Sequence, residues 1–328
     1  MASPSNKKLL ILYVLQVLKE YSDENHPLMQ VEISRKIYSI YGMTSERKAI
    51  GANVQSLIDY GYDIRHIKNR GVYLGERELE PSEIALLVDS IFSNRSINAV
   101  NSKQLAEKLY SCLSKYNRKR FNYVYKVGEI AKSDNKQIFL TIEILQEAIG
   151  SGKKVSFDYI KRTANGNKTK KRYTVSPYIL FNSQGVYYLI CCMYTEKGIT
   201  NFRLDRIENV SISEQTALAQ TEIKGYENGL DIAKIANENI YAFGGKSVTA
   251  KIKLYEEKAI NYLYEWFGDN AKISTHNGET IATVKVNERA IVFWAVQYGY
   301  VTEVLEPKEV RKHICELVNV LKSRYIDN

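Results

Sequence analysis

Lysine and arginine side chains are concentrated in two short stretches of the sequence, and binding of anions is the chemistry that they suggest. The range 153–172 holds eight such residues and a single acid, Asp158. A smaller group, Arg65, Lys68 and Arg70, surrounds an Asn-Arg-Gly turn. Cations of this kind bind phosphate through charge-assisted hydrogen bonds, although an isolated basic run can equally serve to keep a surface soluble. The two stretches favour a polyanionic partner and leave the solubilising alternative open.

The chain as a whole is basic, and its charge is unevenly distributed. Its 328 residues include 46 Lys and Arg against 37 Asp and Glu, for a formal net charge of +9. The segments 1–76, 77–135 and 136–220 carry net charges of +2, +3 and +5, whereas 221–328 carries −1. With 45% hydrophobic and 25% charged residues the composition is that of a globular protein, and the length predicts two or three domains. The basic excess therefore belongs to the first two thirds of the chain.

The sequence lacks the features that are characteristic of several functional classes. The longest apolar run, Val186 to Tyr194, is far shorter than the roughly 20 residues that a membrane-spanning helix needs. The four histidines are scattered, and the four cysteines lack the spacing of zinc sites or disulfide frameworks, which favours a cytoplasmic protein. No GxSxG, P-loop, GxGxxG or HExxH motif occurs. The sequence therefore predicts a protein that is not an enzyme and that uses no metal or cofactor.

Residues 1–78 show the element order of a winged helix-turn-helix domain. Apolar spacing predicts a helix over 5–21, a second over 31–40 that stops at Gly42, and a third that begins after a capping Thr44 or Ser45. Two strand-like runs then flank the basic turn and predict a β-hairpin, the wing. In such domains the third helix reads bases and the wing holds phosphate. A three-helix bundle with an unrelated surface hairpin is the alternative.

The polar face of the third helix is the predicted DNA-reading surface. At roughly 100° per residue, its short polar side chains lie opposite the apolar Ile50 and Val54 and could fit a major groove. The predicted DNA contacts of helix and wing together are Ser45, Arg47, Lys48, Ala52, Gln55, Arg65, Lys68 and Arg70. Of these, Lys48 and Gln55 are expected to read bases, and the wing cations are expected to hold phosphate.

The middle of the chain predicts a helical connector followed by a small barrel. Two helical patterns place the connector at 79–135, and a third over 137–149 opens a domain at 136–220. Strand-like runs follow at 154–160, 173–181, 186–194 and 200–213. Short strands separated by turns predict an antiparallel β-barrel, which is too small for an internal cavity. Any ligand of this domain should therefore bind on its surface.

The C-terminal region, 221–328, predicts a further domain. Apolar patterns give the order β-α-β-β-α-β-α, which is ferredoxin-like, and the last helix is amphipathic. Neutral charge and an amphipathic closing helix favour protein contact, and hence dimerisation, over nucleic-acid binding. The predicted fold class is accordingly α+β and multidomain.

The middle domain resembles that of the bacterial WYL-domain transcriptional regulators. The tripeptide after which the family is named appears as Tyr187-Tyr188-Leu189, with Tyr in place of Trp, and residues 202–207 read FRLDRI, close to a strand motif of the family. The stretches 156–159 and 173–178 occupy the places of the first two barrel strands. The family also carries a winged helix-turn-helix upstream and an extension downstream, so the resemblance covers nearly the whole chain. One departure is Gly51-Ala52-Asn53, where family members often carry Arg followed by Asp.

The resemblance implies an SH3/Sm-like barrel with an effector site for nucleic acid or a nucleotide. The residues that it assigns to this site are Tyr159, Lys171, Tyr173, Ser176, Arg203 and Arg206. The last two lie three residues apart on one predicted strand, so they begin on opposite faces and one of them is expected to be structural. Which one remains open, and an internal salt bridge of Arg206 to Asp205 or Glu208 is the alternative to ligand binding. For residues 187–189, the preferred interpretation is packing in the core and at a dimer interface rather than effector binding.

These features predict a homodimeric transcription factor, a repressor, that binds a double-stranded DNA operator and responds to an effector at the barrel. The alternative is an accessory protein that binds single-stranded RNA or DNA through the barrel beside a nucleic-acid defence system. In that case the winged helix would serve autoregulation.

Overall fold

The structure is a computed structural model, and its fold is α+β with several domains. It describes residues 7–119, 132–165, 167–193, 198–223, 228, 241, 243 and 246–326. The chain divides into two compact units, 1–133 and 134–328. In the part that the structure describes, no helix is both long and apolar enough to cross a membrane.

The first unit opens with three helices and a β-hairpin. These are α1 (Leu10–Tyr21), α2 (Gln30–Tyr41), α3 (Arg47–Tyr60), β1 (Ile64–Ile67) and β2 (Gly71–Leu74). The helices bury one apolar face each, and the side chains of Val14, Ile33, Ile37 and Ile50 are fully enclosed. Gly42 ends α2 in the left-handed conformation, as the sequence predicts.

A close backbone contact fixes the hairpin to the rest of the domain. Leu28 and Val72 exchange backbone hydrogen bonds of 2.8 and 2.9 Å, which form an isolated β-bridge beside β2. Gly71 has a φ of +115°, and a Cβ there would lie 2.2 Å from the carbonyl oxygen of Leu28. Only glycine fits this position, so the basic turn is held at a defined place.

Three further helices complete the first unit: α4 (Pro81–Ser93), α5 (Ala99–Tyr110) and the short α6 (Lys115–Arg118). Ile84, Val88 and Phe92 of α4 pack against Ala106 and Leu113, and all five side chains are buried. The amine of Lys132 donates hydrogen bonds to the carbonyl oxygens of Ile91 and Asn94 at the end of α4, which satisfies acceptors that a helix end leaves free.

The second unit begins with α7 (Ile138–Gly150) and a five-stranded antiparallel sheet. The strands are β3 (Lys153–Arg162), β4 (Lys168–Ser183), β5 (Val186–Met193), β6 (Ile199–Arg203) and β7 (Ile207–Thr216), in the spatial order β6-β5-β4-β3-β7. The first four form a meander, and β7 returns to pair with β3. The prediction of one strand over 200–213 is wrong, because a 3-10 turn, Leu204–Arg206, separates β6 from β7.

The last elements form a four-stranded sheet with helices. They are β8 (Ser247–Leu254), α8 (Lys258–Phe267), β9 (Lys272–His276), β10 (Glu279–Asn287), α9 (Glu288–Gln297), β11 (Thr302–Glu306) and α10 (Lys308–Tyr325). The order of the antiparallel strands is β11-β8-β10-β9. Trp294 of α9 is fully buried in the core between sheet and helices, together with Ile252, Leu263 and Val284. The helix α10 buries little beyond Val310.

Candidate nucleic-acid interface

The start of α3 differs from the expected capping arrangement. Glu46 is the N-cap residue, and no side chain caps the helix, so the prediction of a Thr44 or Ser45 cap is wrong. The hydroxyl of Ser45 instead lies 3.0 Å from that of Ser34, which also donates to the Ser45 carbonyl oxygen at 2.8 Å. Ser45 is half-buried and ties the entry of α3 to α2. The hydroxyl that is predicted to contact DNA therefore already has a partner within the protein.

The other predicted contacts of α3 are exposed, and they differ in their internal partners. Arg47 donates through Nε to Oε1 of Gln30 at 3.0 Å, and Gln55 donates through Nε2 to Oδ1 of Asp59 at 2.8 Å. Ala52 lies on the exposed face, as does Lys48, for which the described residues provide no hydrogen bond or ion pair. Arg47 is thus held by a neutral amide, whereas Lys48 has no such internal contact among the residues described.

The Gln30 side chain occupies the space next to Gly51. A Cβ at this position would lie 2.9 Å from Nε2 of Gln30, the same side chain that receives the hydrogen bond from Arg47. The small residue allows Gln30 to lie across α3 and to bind Arg47. The space that a larger residue would occupy is used to position a neighbouring cation.

The three predicted wing cations also differ from one another. Arg65 forms an ion pair of 2.7 Å with Asp63, and Arg70 donates to the carbonyl oxygen of Asn25 at 3.0 Å. Lys68, at the tip of the hairpin, is exposed and has no such partner among the residues described. The tip therefore presents one unshared charge and one arginine that anchors it to the loop between α1 and α2.

That loop, residues 22–28, joins the wing to the connector helices. Asp23 accepts a hydrogen bond of 2.8 Å from the hydroxyl of Ser114, and its other oxygen lies 2.7 Å from Nδ1 of His26. The His26 ring stacks on Tyr116 with centroids 3.6 Å apart. Burial alone would raise the pKa of Asp23, but the hydrogen bonds from His26 and Ser114 outweigh it and hold the pKa below its usual value. Loop 22–28 thus has fixed contacts with both the wing and α6.

In the β3–β7 sheet, the aromatic residues of the predicted effector site belong to the core. Tyr159 is only 8% exposed, and its ring meets Phe202 edge-on at 4.9 Å and Tyr173 at 6.2 Å. Neither face of the Tyr159 ring is open for a base to stack on, so this part of the prediction is wrong. Tyr173 is half-exposed, and the amine of the exposed Lys171 lies 5.1 Å from its ring centroid.

Ser176 does not lie with the other predicted effector residues. It is 1% exposed, and its hydroxyl accepts a hydrogen bond of 2.9 Å from the backbone N–H of Leu218. Strand alternation places it on the face of β4 opposite to Tyr173 and Val175, where the segment after β7 covers the sheet. Ser176 is a structural residue because its only polar side-chain group is buried and engaged there.

The two arginines of the FRLDRI motif are separated by the 3-10 turn. Arg203 binds Asp205 with both ends of its guanidinium, at 3.0 Å through Nε and 2.8 Å through a terminal nitrogen. Glu208 instead pairs with Lys170 at 2.8 Å. Arg206, at the end of the turn, is exposed and has no ion pair within the described ranges. The alternative of an internal salt bridge therefore applies to Arg203 and leaves Arg206 as the available cation.

Comparison with known families agrees with this arrangement of elements. A family model of the WYL domain matches residues 141–212, and one of the WCX domain matches residues 246–319. The chain therefore carries a WYL domain followed by a WCX domain. No curated protein sequence gave a match.

Two solved structures are similar to the WYL-domain chain at 16% sequence identity. One is proteasome accessory factor B/C (PafBC) of Arthrobacter aurescens, with a TM-score of 0.30, covering 97% of this chain and 49% of PafBC. The other is a CRISPR Cas-related protein, with a TM-score of 0.38, covering 99% of this chain and 87% of that one. The chain thus spans about half the length of PafBC.

Within the WYL domain, Tyr188 is a candidate site residue that the sequence analysis assigned to packing. It lies opposite Arg203 in the register of β5 and β6, and it is half-buried with its ring 5.5 Å from Phe181. Burial raises the pKa of the Tyr188 phenol, while the positive charges of Arg203 and Arg206 act in the opposite direction. The alternation of β5, with Leu189 buried, was the signal that Tyr188 faces the other side.

Arg206 and Tyr188 offer phosphate-binding chemistry. In the described part of the chain, no group of three or more His, Cys, Asp or Glu side chains could hold a metal ion. The available groups are the guanidinium of Arg206 and the phenol of Tyr188, while Lys171 lies beside Tyr173 on the opposite face of the sheet. A guanidinium without an ion pair is a planar donor that suits phosphate-bearing ligands.

Proposed function

We propose that this WYL-domain protein is a DNA-binding transcriptional regulator, a repressor, that is active as a cytoplasmic homodimer and is not an enzyme. In this proposal the helices α1 to α3 and the β1–β2 hairpin are a winged helix-turn-helix. The sheet β3–β7 is an SH3/Sm-like barrel that senses a nucleic-acid or nucleotide effector at Arg206 and Tyr188. The domain from β8 to α10 is ferredoxin-like and dimerises.

One observation carries the proposal for DNA binding. Lys48 on α3 and Lys68 at the hairpin tip are exposed cations without ion-pair partners among the residues described, while Arg47 and Arg70 fix the surfaces around them. An unshared cation can release counterions from DNA with little loss of internal bonding, because it breaks no ion pair on binding. The proposal therefore assigns base reading to the α3 face and phosphate binding to Lys68.

The test begins with selection of duplexes from a random-sequence DNA library by the full chain. A two-fold symmetric dimer should enrich an inverted repeat. On the selected duplex, Lys68→Ala should weaken binding to all sequences and reduce the slope of log K against log salt by about 0.9. Gln55→Ala should instead relax sequence preference, by about 1–3 kcal/mol at the affected base pair.

Lys103→Ala provides the matched control, since Lys103 is an exposed lysine on α5 away from the proposed surface. It removes the same charge and should leave the salt slope unchanged. The proposal is wrong if no sequence is enriched, or if the Lys68 and Lys103 variants give the same slope as the wild type. Enrichment of single half-sites would argue against the dimer alone.

A further inference from the structure

The β1–β2 hairpin is bonded at its base, as well as at its tip and middle, to loop 22–28. At the base, the backbone N–H of Leu74 donates to the hydroxyl oxygen of Ser22 at 3.1 Å. Ser22 is buried at the end of α1, and its hydroxyl donates in turn to the carbonyl oxygen of Leu18 at 2.7 Å. The whole length of the hairpin is therefore fixed by one short loop.

Arg77, three residues after β2, joins this loop to the end of α5. One terminal nitrogen of its guanidinium donates to the carbonyl oxygen of Ser22 at 2.8 Å, and the other donates to that of Cys112 at 3.2 Å. Both carbonyls lie where a helix ends and leaves acceptors free, because Ser22 ends α1 and Cys112 comes two residues after α5. A single side chain thus fastens the exit of the hairpin to the loop and to the end of α5.

The Arg77 guanidinium is half-buried, so its charge needs partners inside the protein. Burial lowers the pKa of Arg77, while the charges of Asp23 and Glu80 act in the opposite direction. A charged group that leaves water is stabilised by hydrogen bonds, and here the acceptors are two backbone carbonyls. Because a backbone carbonyl cannot move without its segment, the two bonds fix the main chain at both places.

We propose that Arg77 is a positioning residue for DNA binding, which holds the hairpin so that Lys68 at its tip meets a phosphate when α3 lies in the major groove. The inference rests on the proposed DNA binding and adds a residue that contacts no DNA itself. The strand β2 alone spans about 13 Å, four residues at roughly 3.3 Å each, so a small rotation at the base displaces the tip by a larger distance. Helix α3 is held instead by its own buried side chains, among them Ile50 and Val54, so base reading should not depend on Arg77.

The experiment is a double-mutant cycle between Arg77 and Lys68, at opposite ends of the hairpin. Fluorescence anisotropy of the full chain on the selected duplex compares the wild type, Lys68→Ala, Arg77→Met and the double variant over a range of salt concentrations. Each single variant should reduce the slope of log K against log salt by about 0.9, because each loses the phosphate contact of Lys68. The double variant should lose about 0.9 in all, since the contact can be lost only once. Sequence preference at the base pair assigned to Gln55 should stay as in the wild type.

Arg118→Met is the matched control for the lost charge. Arg118 donates to the carbonyl oxygen of Ser111, at the same end of α5, and in the described part of the chain it has no hydrogen bond to loop 22–28 or to the hairpin. This variant should keep the wild-type salt slope. Arg77→Lys, which offers one nitrogen in place of two, is the second variant if Arg77→Met does not fold. Its loss of slope should likewise not add to that of Lys68→Ala.

Hydrogen–deuterium exchange of the DNA-free protein gives a reading that does not depend on DNA binding. The peptide that contains residues 64–74 should exchange about tenfold faster in Arg77→Met than in Arg118→Met, because hydrogen bonds from a charged group at the base of the hairpin are lost. Exchange in α3 should be the same in both variants.

Additive losses of salt slope, about 1.8 in the double variant, would overturn the proposal, because Arg77 would then contact a phosphate itself. It is also wrong if Arg77→Met melts at a lower temperature but keeps the wild-type slope, as a purely structural residue would. A hairpin that exchanges no faster in Arg77→Met than in Arg118→Met contradicts it as well. If the wild type selects no DNA sequence, the proposed function fails, and the exchange comparison still decides whether Arg77 holds the hairpin.

Discussion

Two turns support the two candidate surfaces, and each is fixed by one aspartate. Loop 22–28 supports the wing through Asp23, and the turn at 203–206 supports the exposed Arg206 through Asp205. Asp23 accepts hydrogen bonds from loop backbone N–H groups and from Ser114, which is 91 residues away. Asp205 is paired to Arg203, only two residues away. The first turn depends on a distant helix, and the second largely on its own sequence.

The difference matters for what each turn can transmit. Because Asp23 and His26 contact Ser114 and Tyr116, a displacement of α6 reaches the loop to which Arg70 of the wing is bonded. The 203–206 turn is tied to Asn135, whose side-chain amide donates to the carbonyl oxygens of Leu204 at 3.5 Å and Ile207 at 2.9 Å, and it packs on buried aromatic residues. The first turn is suited to coupling and the second to holding a fixed site.

Removing the aromatic support of the second turn should have the largest effect. Phe202 is 6% exposed and packs against Phe157, Tyr159 and Tyr173. Phe202→Ala should lower the free energy of unfolding of the second unit by about 3–5 kcal/mol, the cost of a large cavity in a core. Phe139→Ala, at a partly exposed position of α7, should cost under about 1 kcal/mol. Equal melting curves for the two variants would show that the turn does not depend on this core.

Replacing Arg203 and Arg206 one at a time should give stability effects of intermediate size. Arg203→Ala leaves Asp205, which is 11% exposed, without its charged partner, and should cost about 1–3 kcal/mol of stability. Arg206→Ala breaks no ion pair in the described structure, so it should change stability by less than about 0.5 kcal/mol while weakening oligonucleotide binding. Thermal melting and anisotropy on the same preparations measure both effects. The reverse pattern would exchange the two roles.

The sequence alone predicts features that depend on neighbouring residues. Strand alternation gives the two faces of the β3–β7 sheet, and Gly42 marks the end of α2. The proximity of an acid to the FRLDRI arginines also indicates an internal salt bridge, although the 3-10 turn assigns it to Arg203 rather than Arg206. Local chemistry and periodicity are enough for these features because the partners are a few residues apart.

Contacts between distant segments could not be predicted in the same way. The sequence around Ser176 does not indicate that its hydroxyl accepts a hydrogen bond from the backbone N–H of Leu218. The sequence around Ser45 likewise does not indicate that its hydroxyl lies against that of Ser34. The bond between Asp23 and Ser114 joins segments with no common pattern. Such contacts decide which polar residues of a predicted site remain available, so the fold could be predicted more completely than the site.

The smallest expected effect is also the most specific to the first turn. Asp23→Asn keeps the side-chain size but removes the charge that His26 and Ser114 stabilise. Because the folded pKa of Asp23 lies below its unfolded value, ionised Asp23 contributes stability that is fully present above the unfolded pKa and is lost as pH falls through the folded pKa. The wild type should exceed Asp23→Asn by about 1 kcal/mol at pH 7. Melting curves should show the difference shrinking as pH falls below about 4, the unfolded value.

Asp89→Asn on α4 gives the control for this pH series, since Asp89 is exposed and has no ion pair within the described ranges. It should change the melting temperature little at any pH. Ser114→Ala removes one of the donors to Asp23, so the carboxylate ionises less readily in the folded protein. In the Ser114→Ala background, the stability difference between Asp23 and its Asn variant should therefore decline at a higher pH than in the wild type. If the advantage over Asp23→Asn is constant from pH 7 to pH 3, the charge of Asp23 contributes nothing to loop 22–28. The contacts of loop 22–28 with the hairpin and with α6 would then hold the wing through packing alone, as the buried aromatic residues hold the 203–206 turn.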